Sequence, residues 1–446
     1  MTLFTRRWLN RAFTGAALFA VVGVAAVLLV VLSPIFVRGA GAYCFRGTIE
    51  HRRFLIERFD RGDAARVAAD TAAVAAARAP VFAILARFEG ELDELPAARR
   101  RDLRTDYREV RKIVGELLGP APGQQAALLQ RNAYGQTRWD RAQVKLDRIL
   151  YRQTWDYSGG LGRSVRTPRE VLYAGTSLAP LFPLLSAQLD RMLLPRLTFY
   201  AGFLTDRSVD SHFFGGIGPE VLGTVYLTLG AMLLAVPFGI VAAIYFQEYT
   251  DEGRVKVFLR TCVGTLAGVP SVLFGLFGLA FFINTLHVSH GKSVLAGALT
   301  LALLVLPTII RASEEAICAV PRTYKEAALA LGAGRWRTVC TVILPAALPG
   351  ILTGIVISMG RAAGETAPII FTAAVSFGAV PRLAEVFTHA TPALPWNIFN
   401  LATEHEAADE IRHVQYGMVA TLVLIVLLLN LGAVLLRARV SRRLKG

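Results

Sequence analysis

The sequence predicts an all-α integral membrane protein. Of its 446 residues, 54% are hydrophobic, the mean hydropathy is +0.47, and several apolar stretches carry no charge. A helix that spans a bilayer requires about 20 mostly apolar residues. Six stretches meet that requirement: residues 13–37, 221–246, 263–286, 294–310, 348–375 and 418–436. We therefore expect about six transmembrane helices.

The basic residues near both ends of the chain predict its orientation. Arginines precede the first apolar stretch and follow the last one: Arg6, Arg7, Arg11, Arg437, Arg439, Arg442 and Arg443. Lys and Arg near span ends favour the cytoplasmic side. The first stretch is longer than the apolar core of a secretory signal, so we interpret it as a retained helix. We expect a multi-pass membrane protein with both termini in the cytoplasm.

A long polar region separates the first two apolar stretches and predicts a three-part chain. The parts are residues 1–37 (cytoplasmic N-terminus and first helix), 38–219 (an extracytoplasmic insert) and 220–446 (a five-helix core with a cytoplasmic loop at 311–345). Charged and apolar residues alternate at helical spacing over 63–88, 96–118 and 124–152, which predicts a mainly helical insert. Its many arginines either capture anions or form solvated helix faces, and we favour the second interpretation.

The segment between the fourth and fifth apolar stretches has the pattern of a helix, a turn and a second helix. Residues 324–331 are strong helix formers, and Gly332 permits a sharp exit. The candidate residues of this loop are Glu326, Ala327, Ala328, Gly332, Leu344 and Pro345. Taken alone, the pattern fits either an amphipathic connector or a rigid elbow that transmits motion to a soluble partner.

The fifth apolar stretch contains two charges at membrane depth. Charges there are costly and usually face the bundle interior or a water-filled path. Arg361 and Glu365 are four residues apart and share a helix face, while Gly360 and Gly364 predict close helix packing. Either Arg361 binds an anion that Glu365 orients or balances, or the two form a structural ion pair. Thr366 is a third candidate in this stretch.

Arg311 follows the fourth apolar stretch. It is either a basic anchor at the cytoplasmic face or a second anion ligand.

Other classes of function find little support in the sequence. The net charge of +15 suggests nucleic acid, but no nucleic-acid-binding module is recognisable. The four cysteines lack the CxxC spacing of a metal site. Gly291-Lys292-Ser293 lacks the glycine that a phosphate-binding loop requires five residues earlier, where Leu286 stands. We expect a chain that is not an enzyme and binds no metal or cofactor.

These residues together resemble a known family. The stretches that carry the resemblance are 215–217, 235–240, 267–271, 274–278, 326–345 and, most specifically, Gly360-Arg361-Ala362-Ala363-Gly364-Glu365-Thr366-Ala367-Pro368. From about residue 203 onward the chain resembles the PstA-type permease subunit of the phosphate-specific ABC importer, a type I importer transmembrane domain. The long insert departs from the family's pattern.

The resemblance implies a machine of several subunits. Its partners would be a homologous second permease, two ATP-binding cassette ATPases that use ATP and Mg, and an extracytoplasmic phosphate-binding protein, within membrane lipid. It implies that Arg311 and Arg361 serve phosphate passage and that the loop at Glu326 and Gly332 docks on an ATPase. The alternatives are a permease for sulfate, molybdate or phosphonate, or a membrane sensor or scaffold that uses the insert as a ligand domain.

Overall fold

The computed structural model describes residues 3–94, 96–121, 124, 129, 131–156, 163–405 and 410–445. The chain is mostly helical and forms two compact units, and the predicted all-α membrane class is confirmed. The membrane unit comprises Met1–Ala40, Gly202–Ser208 and Gly215–Gly446. The insert unit comprises Gly41–Ala201 and Val209–Phe214.

The insert unit is mainly helical, as predicted, with two small antiparallel sheets. Helix α1 (Leu3–Tyr43) leads into it, and its elements follow: β1 Cys44–Gly47, α2 Ile49–Phe59, α3 Ala64–Glu94, α4 Ala97–Leu118, α5 Trp139–Leu150, β2 Tyr151–Asp156, β3 Arg163–Pro168, α6 Arg169–Leu172, α7 Leu181–Leu193 and β4 Arg196–Phe199. Strand β1 pairs with β4, and β2 pairs with β3 as a hairpin. The sequence predicted no strand in this region.

Four amphipathic helices enclose the core of the insert unit. Helices α3, α4, α5 and α7 contribute its buried side chains, which include Val81, Leu85, Phe88, Val110, Val114, Leu117, Ile149, Leu181, Leu185 and Leu189. Burying an aliphatic or aromatic side chain of this size contributes roughly 1.5–3 kcal/mol. The core therefore gives this unit a hydrophobic interior of its own.

Helix α3 is long and apolar enough to pass as a membrane span by length and composition. Its buried residues, Val81 and Phe88 among them, instead belong to the core of the insert unit. Charged residues such as Arg66, Asp70 and Arg87 also recur along its length. Because charges are costly inside hydrocarbon, we interpret α3 as a helix of the insert unit.

A buried arginine of α6, Arg169, contacts both α4 and α5, and its Nη1 donates to the carbonyl of Ile149 in α5 at 3.4 Å. The side chain of Arg169 is only 1% exposed, and its Nε lies 3.0 Å from Oδ2 of Asp106. Its Nη2 lies 2.7 Å from Oε2 of Glu109, and the hydroxyl of Tyr173 donates to Asp106 at 3.0 Å. A buried charge is stable only when its partners satisfy it.

Replacing Arg169 by Ala should therefore destabilise the insert unit by roughly 3–5 kcal/mol, because the buried Asp106 loses its nearer cation and keeps only Arg152, whose Nε is 3.8 Å from Oδ1. Arg166→Ala is the matched control, since the Arg166–Asp147 pair is about half-exposed and such pairs contribute about 0–1 kcal/mol. The measurement is the temperature at which chymotrypsin cuts residues 41–201 of the full chain. Equal shifts for the two variants would contradict a structural role for the buried network.

The short strands β5 Ser208–Val209 and β6 Phe214–Gly215 each have one residue in either unit. The membrane unit contains the remaining elements, which in chain order are α8 Gly218–Ile244, α9 Arg254–Ala267, α10 Ser271–Phe277, α11 Val294–Cys318, α12 Arg322–Ala330, α13 Arg335–Thr338, α14 Leu344–Gly364, α15 Ala367–Thr372, β7 Ala374–Val375, β8 Thr391–Pro392, α16 Leu394–Thr403 and α17 Arg412–Lys445. Three π-helical segments, Tyr245–Tyr249, Gly278–Thr285 and Val339–Ile343, adjoin them. In this unit, α1, α8, α11, α14 with the segments before it, and α17 are each long and apolar enough to span a membrane.

The predicted third span, residues 263–286, is wrong as a single helix. The chain forms α9 and then a second helical stretch, Ser271–Thr285, and the two are bent by 102°. Pro270 explains the break, because its ring lacks an N–H and would clash with the carbonyl of Leu266 in a continuous helix. The pair is either a broken span or a re-entrant loop.

The predicted fifth span, residues 348–375, is also wrong at its C-terminal end. Helix α14 ends at Gly364, and Glu365 adopts an extended conformation with φ −76° and ψ 128°. Pro368 follows in the first turn of α15 and would clash with the carbonyl of Gly364 if the helix continued. The two candidate charges therefore lie at a helix break.

Candidate functional site

Arg361 and Glu365 form the i, i+4 pair that their spacing predicts. Nε of Arg361 donates to Oε1 of Glu365 at 3.2 Å. Arg361 lies in the last turn of α14, where the negative end of the helix dipole favours a cation. Glu365 follows as the first extended residue, and its side chain is 19% exposed.

The end of the Arg361 side chain remains available. The pair with Glu365 uses Nε, and among the described residues neither Nη group has a hydrogen-bond partner. The side chain is 41% exposed, and Ile357 and Gly364 are exposed on the same face of α14. Two parallel N–H groups of a guanidinium suit bidentate binding of an oxyanion.

Arg311 is the second candidate cation, and its position differs from the predicted one. The prediction placed it at the end of the fourth span, whereas α11 continues for two further turns to Cys318. Arg311 is exposed, and its Nη2 lies close to α9, because a Cβ added at Gly264 of that helix would be only 2.8 Å from this atom. Within the described part of the chain its guanidinium makes no hydrogen bond or ion pair.

The packing of α11 against α14 places the two arginines at different heights. A Cβ added at Gly354 would lie 2.3 Å from the Cβ of Ala312, and one at Gly350 would lie 2.7 Å from that of Ala316. These contacts make the helices antiparallel and put Arg311 near the level of residue 355. Six residues separate that level from Arg361, or about 9 Å along the helix axis.

The same contacts correct the predicted packing motif. Gly364 has no neighbouring atom where a Cβ would stand, and the nearest side-chain atoms to a Cβ at Gly360 are 3.6 Å away. The close approach instead occurs at Gly350 and Gly354, where any larger residue would clash with α11. Gly350 and Gly354 have the same four-residue spacing of small residues from which we predicted close packing at Gly360 and Gly364.

Glu365 also lines a small cavity that the sequence analysis missed. Thr224 and Thr228 of α8 line it together with Glu365. Both threonines are buried, and each hydroxyl donates to the carbonyl four residues earlier. Thr366, which follows Glu365, is half-buried but does not line this cavity, and its carbonyl accepts the N–H of Ile370 at 3.3 Å. Thr224 and Thr228 are four residues apart on an otherwise apolar helix, and this spacing in the sequence could have predicted a polar face there.

The predicted helix–turn–helix is present between α11 and α14. Helix α12 carries Glu326, Ala327 and Ala328, and the carbonyl of Ala328 accepts the N–H of Ala333 at 3.1 Å. Gly332 has φ +83°, a left-handed conformation that glycine adopts without strain, and α13 follows at Arg335. Leu344 and Pro345 begin α14 after a π-helical turn.

This loop exposes a large apolar surface. Helix α12 has no buried residue. Leu331 is 90% exposed and Trp336 is 66% exposed, with Tyr324 also exposed nearby in sequence. Exposed apolar clusters of this kind mark interaction sites.

An ion pair that the sequence did not predict links α12 to the end of α8. Nζ of Lys325 lies 2.5 Å from Oε2 of Glu248, which belongs to the π-helical turn Tyr245–Tyr249. The two side chains are 40% and 12% exposed. The pair joins the exposed loop directly to a membrane helix.

Comparisons with known proteins agree with this architecture. Residues 235–446 match the family described as "Binding-protein-dependent transport system inner membrane component". The chain is 36% identical over 256 residues to the "Probable ABC transporter permease protein YqgI" of Bacillus subtilis, covering 54% of this chain and 84% of the relative. It is 37% identical over 231 residues to the "Phosphate transport system permease protein PstA 1" of Mycobacterium tuberculosis, covering 52% of this chain and 73% of the relative. The chain belongs to the PstA-type family of ABC importer permeases.

A further relative extends the same finding. The "Phosphate transport system permease protein PstA" of Yersinia pestis is 34% identical over 224 residues, which cover 49% of this chain and 71% of the relative. Among solved structures, the MetNI methionine ABC transporter in inward facing conformations aligns with 50% of this chain and 94% of its own, at 16% identity and a TM-score of 0.39. The family match begins at residue 235, so the insert unit lies outside it.

Proposed function

We propose that this chain is the permease subunit of an ATP-driven importer and that it carries inorganic phosphate across the bacterial inner membrane by alternating access. The free Nη fork of Arg361, held through Nε by Glu365 at a helix break, is the observation that carries the proposal. Family membership supports the transport role, and the curated phosphate permeases among the relatives support phosphate as cargo.

The Arg361–Glu365 pair suits a site that must bind an anion and then release it. The guanidinium offers a planar fork that matches two oxygens of phosphate. Glu365 fixes the orientation of that fork, and its negative charge reduces the net attraction for the cargo. Weak enough binding is a requirement for conduction, since an anion held too tightly would not leave. Thr366 adds a hydroxyl beside the pair.

Arg311 provides a second position along the same route. Its guanidinium, which has no partner among the residues that the structure describes, and its offset of about 9 Å from Arg361 along the helix axes fit a cargo passed from one cation to the next. A simple basic anchor at the cytoplasmic face is the alternative role. With both termini in the cytoplasm, Arg311 lies on the cytoplasmic side of Arg361.

The energy for this cycle comes from partner subunits. The exposed loop with Glu326, Gly332 and Leu331 docks on an ATP-binding cassette ATPase, and two such ATPases bind ATP and Mg. This chain has the role of a transport subunit rather than an enzyme. A homologous second permease completes the channel, and an extracytoplasmic phosphate-binding protein delivers the cargo to it.

The Lys325–Glu248 ion pair couples the docked loop to α8. We expect Lys325→Glu to reduce ATP-driven uptake several-fold, because two like charges then face each other where one attraction joined the elements. The double variant Lys325→Glu/Glu248→Lys should restore most of the uptake, since the attraction is re-formed with reversed polarity. Uptake per ATP hydrolysed is the measurement.

Arg254→Glu is the control for charge reversal, because Arg254 is exposed at the start of α9 and belongs neither to α12 nor to the turn Tyr245–Tyr249. If the double variant transports no better than Lys325→Glu alone, the Lys325–Glu248 pair does not couple movement of the docked loop to α8.

The proposed cargo is tested with the complete transporter in proteoliposomes. ATP-dependent accumulation of radiolabelled phosphate, unaffected by excess sulfate or molybdate, is the expected result. Competition by a phosphonate would assign the site to that related oxyanion, and uptake of sulfate in preference to phosphate would overturn the proposal.

A further inference from the structure

Arg311, the second cation of the proposed route, is followed on α11 by an acidic residue with which it does not pair. Glu314 is three residues further along the helix, and side chains at that spacing are neighbours on a helix surface. The side chain of Glu314 is only 14% exposed, so its carboxylate requires a partner. Among the described residues, however, Arg311 and Glu314 form no ion pair or hydrogen bond with each other.

The partner of Glu314 comes from a different helix of the membrane unit. Nε of Arg260, in α9, donates to Oε1 of Glu314 at 3.2 Å. Within the part of the chain that the structure describes, no other cation lies at ion-pair distance from this carboxylate. The pair therefore engages Glu314 from outside α11 and leaves Arg311 without it.

Helix α9 meets Arg311 and Glu314 with a single face. Gly264 follows Arg260 by four residues, which is about one helical turn. A Cβ added at Gly264 would lie 2.8 Å from Nη2 of Arg311, whereas Arg260 contacts Glu314. The guanidinium of Arg311 and the carboxylate of Glu314 are therefore both directed towards α9, on the same side of α11.

A second acidic residue of α11 has different surroundings. Glu315 follows Arg311 by four residues, but it is exposed and makes no ion pair among the described residues. Exposed ion pairs contribute only about 0–1 kcal/mol, so its solvated carboxylate gains little from Arg311. Glu314 is the carboxylate whose burial makes a cation necessary. Arg311, one turn away, is the only cation that α11 itself could offer to it.

We infer that Arg260 is a positioning residue, which keeps Arg311 available for cargo by holding Glu314 in an ion pair on α9. The inference rests on the proposed role of Arg311 in anion passage. While Arg260 engages Glu314, the Nη groups of Arg311 remain free to bind oxygens of an anion. Without Arg260, the largely buried carboxylate of Glu314 turns to Arg311 and competes with anionic cargo for the same N–H groups.

Breaking the ion pair from each side in turn tests this inference. The complete transporter is reconstituted in proteoliposomes, and the rate of ATP-driven phosphate uptake is measured. Arg260→Gln should reduce the rate several-fold, because Glu314 then neutralises Arg311. Glu314→Gln breaks the same pair but should leave uptake near that of the unchanged chain, since no carboxylate remains to occupy Arg311. For the same reason the double variant Arg260→Gln/Glu314→Gln should recover most of the uptake.

Arg254→Gln is the matched control, because it removes an exposed arginine from the start of α9 without touching Glu314. Equal losses in the two single variants, with no recovery in the double variant, would show that the pair only fastens α9 to α11 and would overturn the inference. Normal uptake by Arg260→Gln would overturn it as well. Copurification of the ATPase subunits, measured for every variant, identifies a folding defect.

Arg311→Gln separates the inference from the function on which it rests. A loss of uptake in this variant, together with the recovery described for the double variant, supports the inference. Normal phosphate uptake by Arg311→Gln would remove Arg311 from the route and overturn the inference while leaving the phosphate permease intact. If the unchanged chain carries no phosphate, the proposed function itself is overturned.

Discussion

Arg361→Gln is expected to reduce ATP-driven phosphate uptake by about 10- to 100-fold while the chain still inserts and assembles. Hydrogen bonds to charged groups contribute roughly 1.5–3 kcal/mol, and each 1.4 kcal/mol corresponds to about a factor of ten. Glutamine removes both the positive charge and the free Nη fork. Arg361→Lys should give an intermediate loss, because lysine keeps the charge but cannot bind two oxygens in one plane.

The control is Arg254→Gln, because Arg254 is exposed at the start of α9 and has no part in the proposed site. Its uptake should match that of the unchanged chain. Expression and copurification of the ATPase subunits are measured for all three variants, so that a folding defect is recognised. Normal uptake by a well-expressed Arg361→Gln variant would leave the Arg361–Glu365 pair as a purely structural contact.

The second large effect is expected at the exposed loop. Leu331→Asp should abolish copurification of the ATPase subunits and, with it, uptake. Leu331 is the most exposed large apolar residue among those described, at 90%, and it adjoins the left-handed Gly332. Burying an unpaired carboxylate in an interface costs several kcal/mol, which is enough to weaken the complex by about 100-fold or more.

Leu383→Asp provides the comparison, since Leu383 is also highly exposed but lies in a different loop, at the 3-10 segment Leu383–Glu385. That variant should retain its ATPase subunits. Retention of the ATPase by Leu331→Asp, measured by pull-down at equal expression, would mean that the loop at residues 322–338 is not the docking surface.

Local chemistry explains why much of the membrane unit was predictable. A bilayer requires long uncharged helices, so hydropathy located α1, α8, α11, α14 and α17. Helix formers followed by a glycine likewise predicted α12 and the turn at Gly332. The four-residue spacing of Arg361 and Glu365 predicted their contact, because that spacing is a property of one helical turn.

The errors arose where two requirements competed. Apolar composition continued through Pro270 and Pro368, so hydropathy extended helices that proline geometry ends. The small-residue motif occurred twice on α14, and only contact with α11 shows that Gly350 and Gly354 form the close approach. The hairpin of β2 and β3 was missed because its pairing joins segments that carry no strong strand pattern.

The amino-acid sequence alone determined the membrane class, the mainly helical insert and the charged candidates, because each depends on composition or on spacing within one helix. The family followed from the resemblance of motifs such as residues 360–368 to those of known permeases. Tertiary structure decided which atoms of Arg361 remain free, where Arg311 lies relative to it, and which ion pair joins the exposed loop to α8. These relations join residues that are distant along the chain, and no local pattern encodes the distance between two helices or strands that meet only after folding.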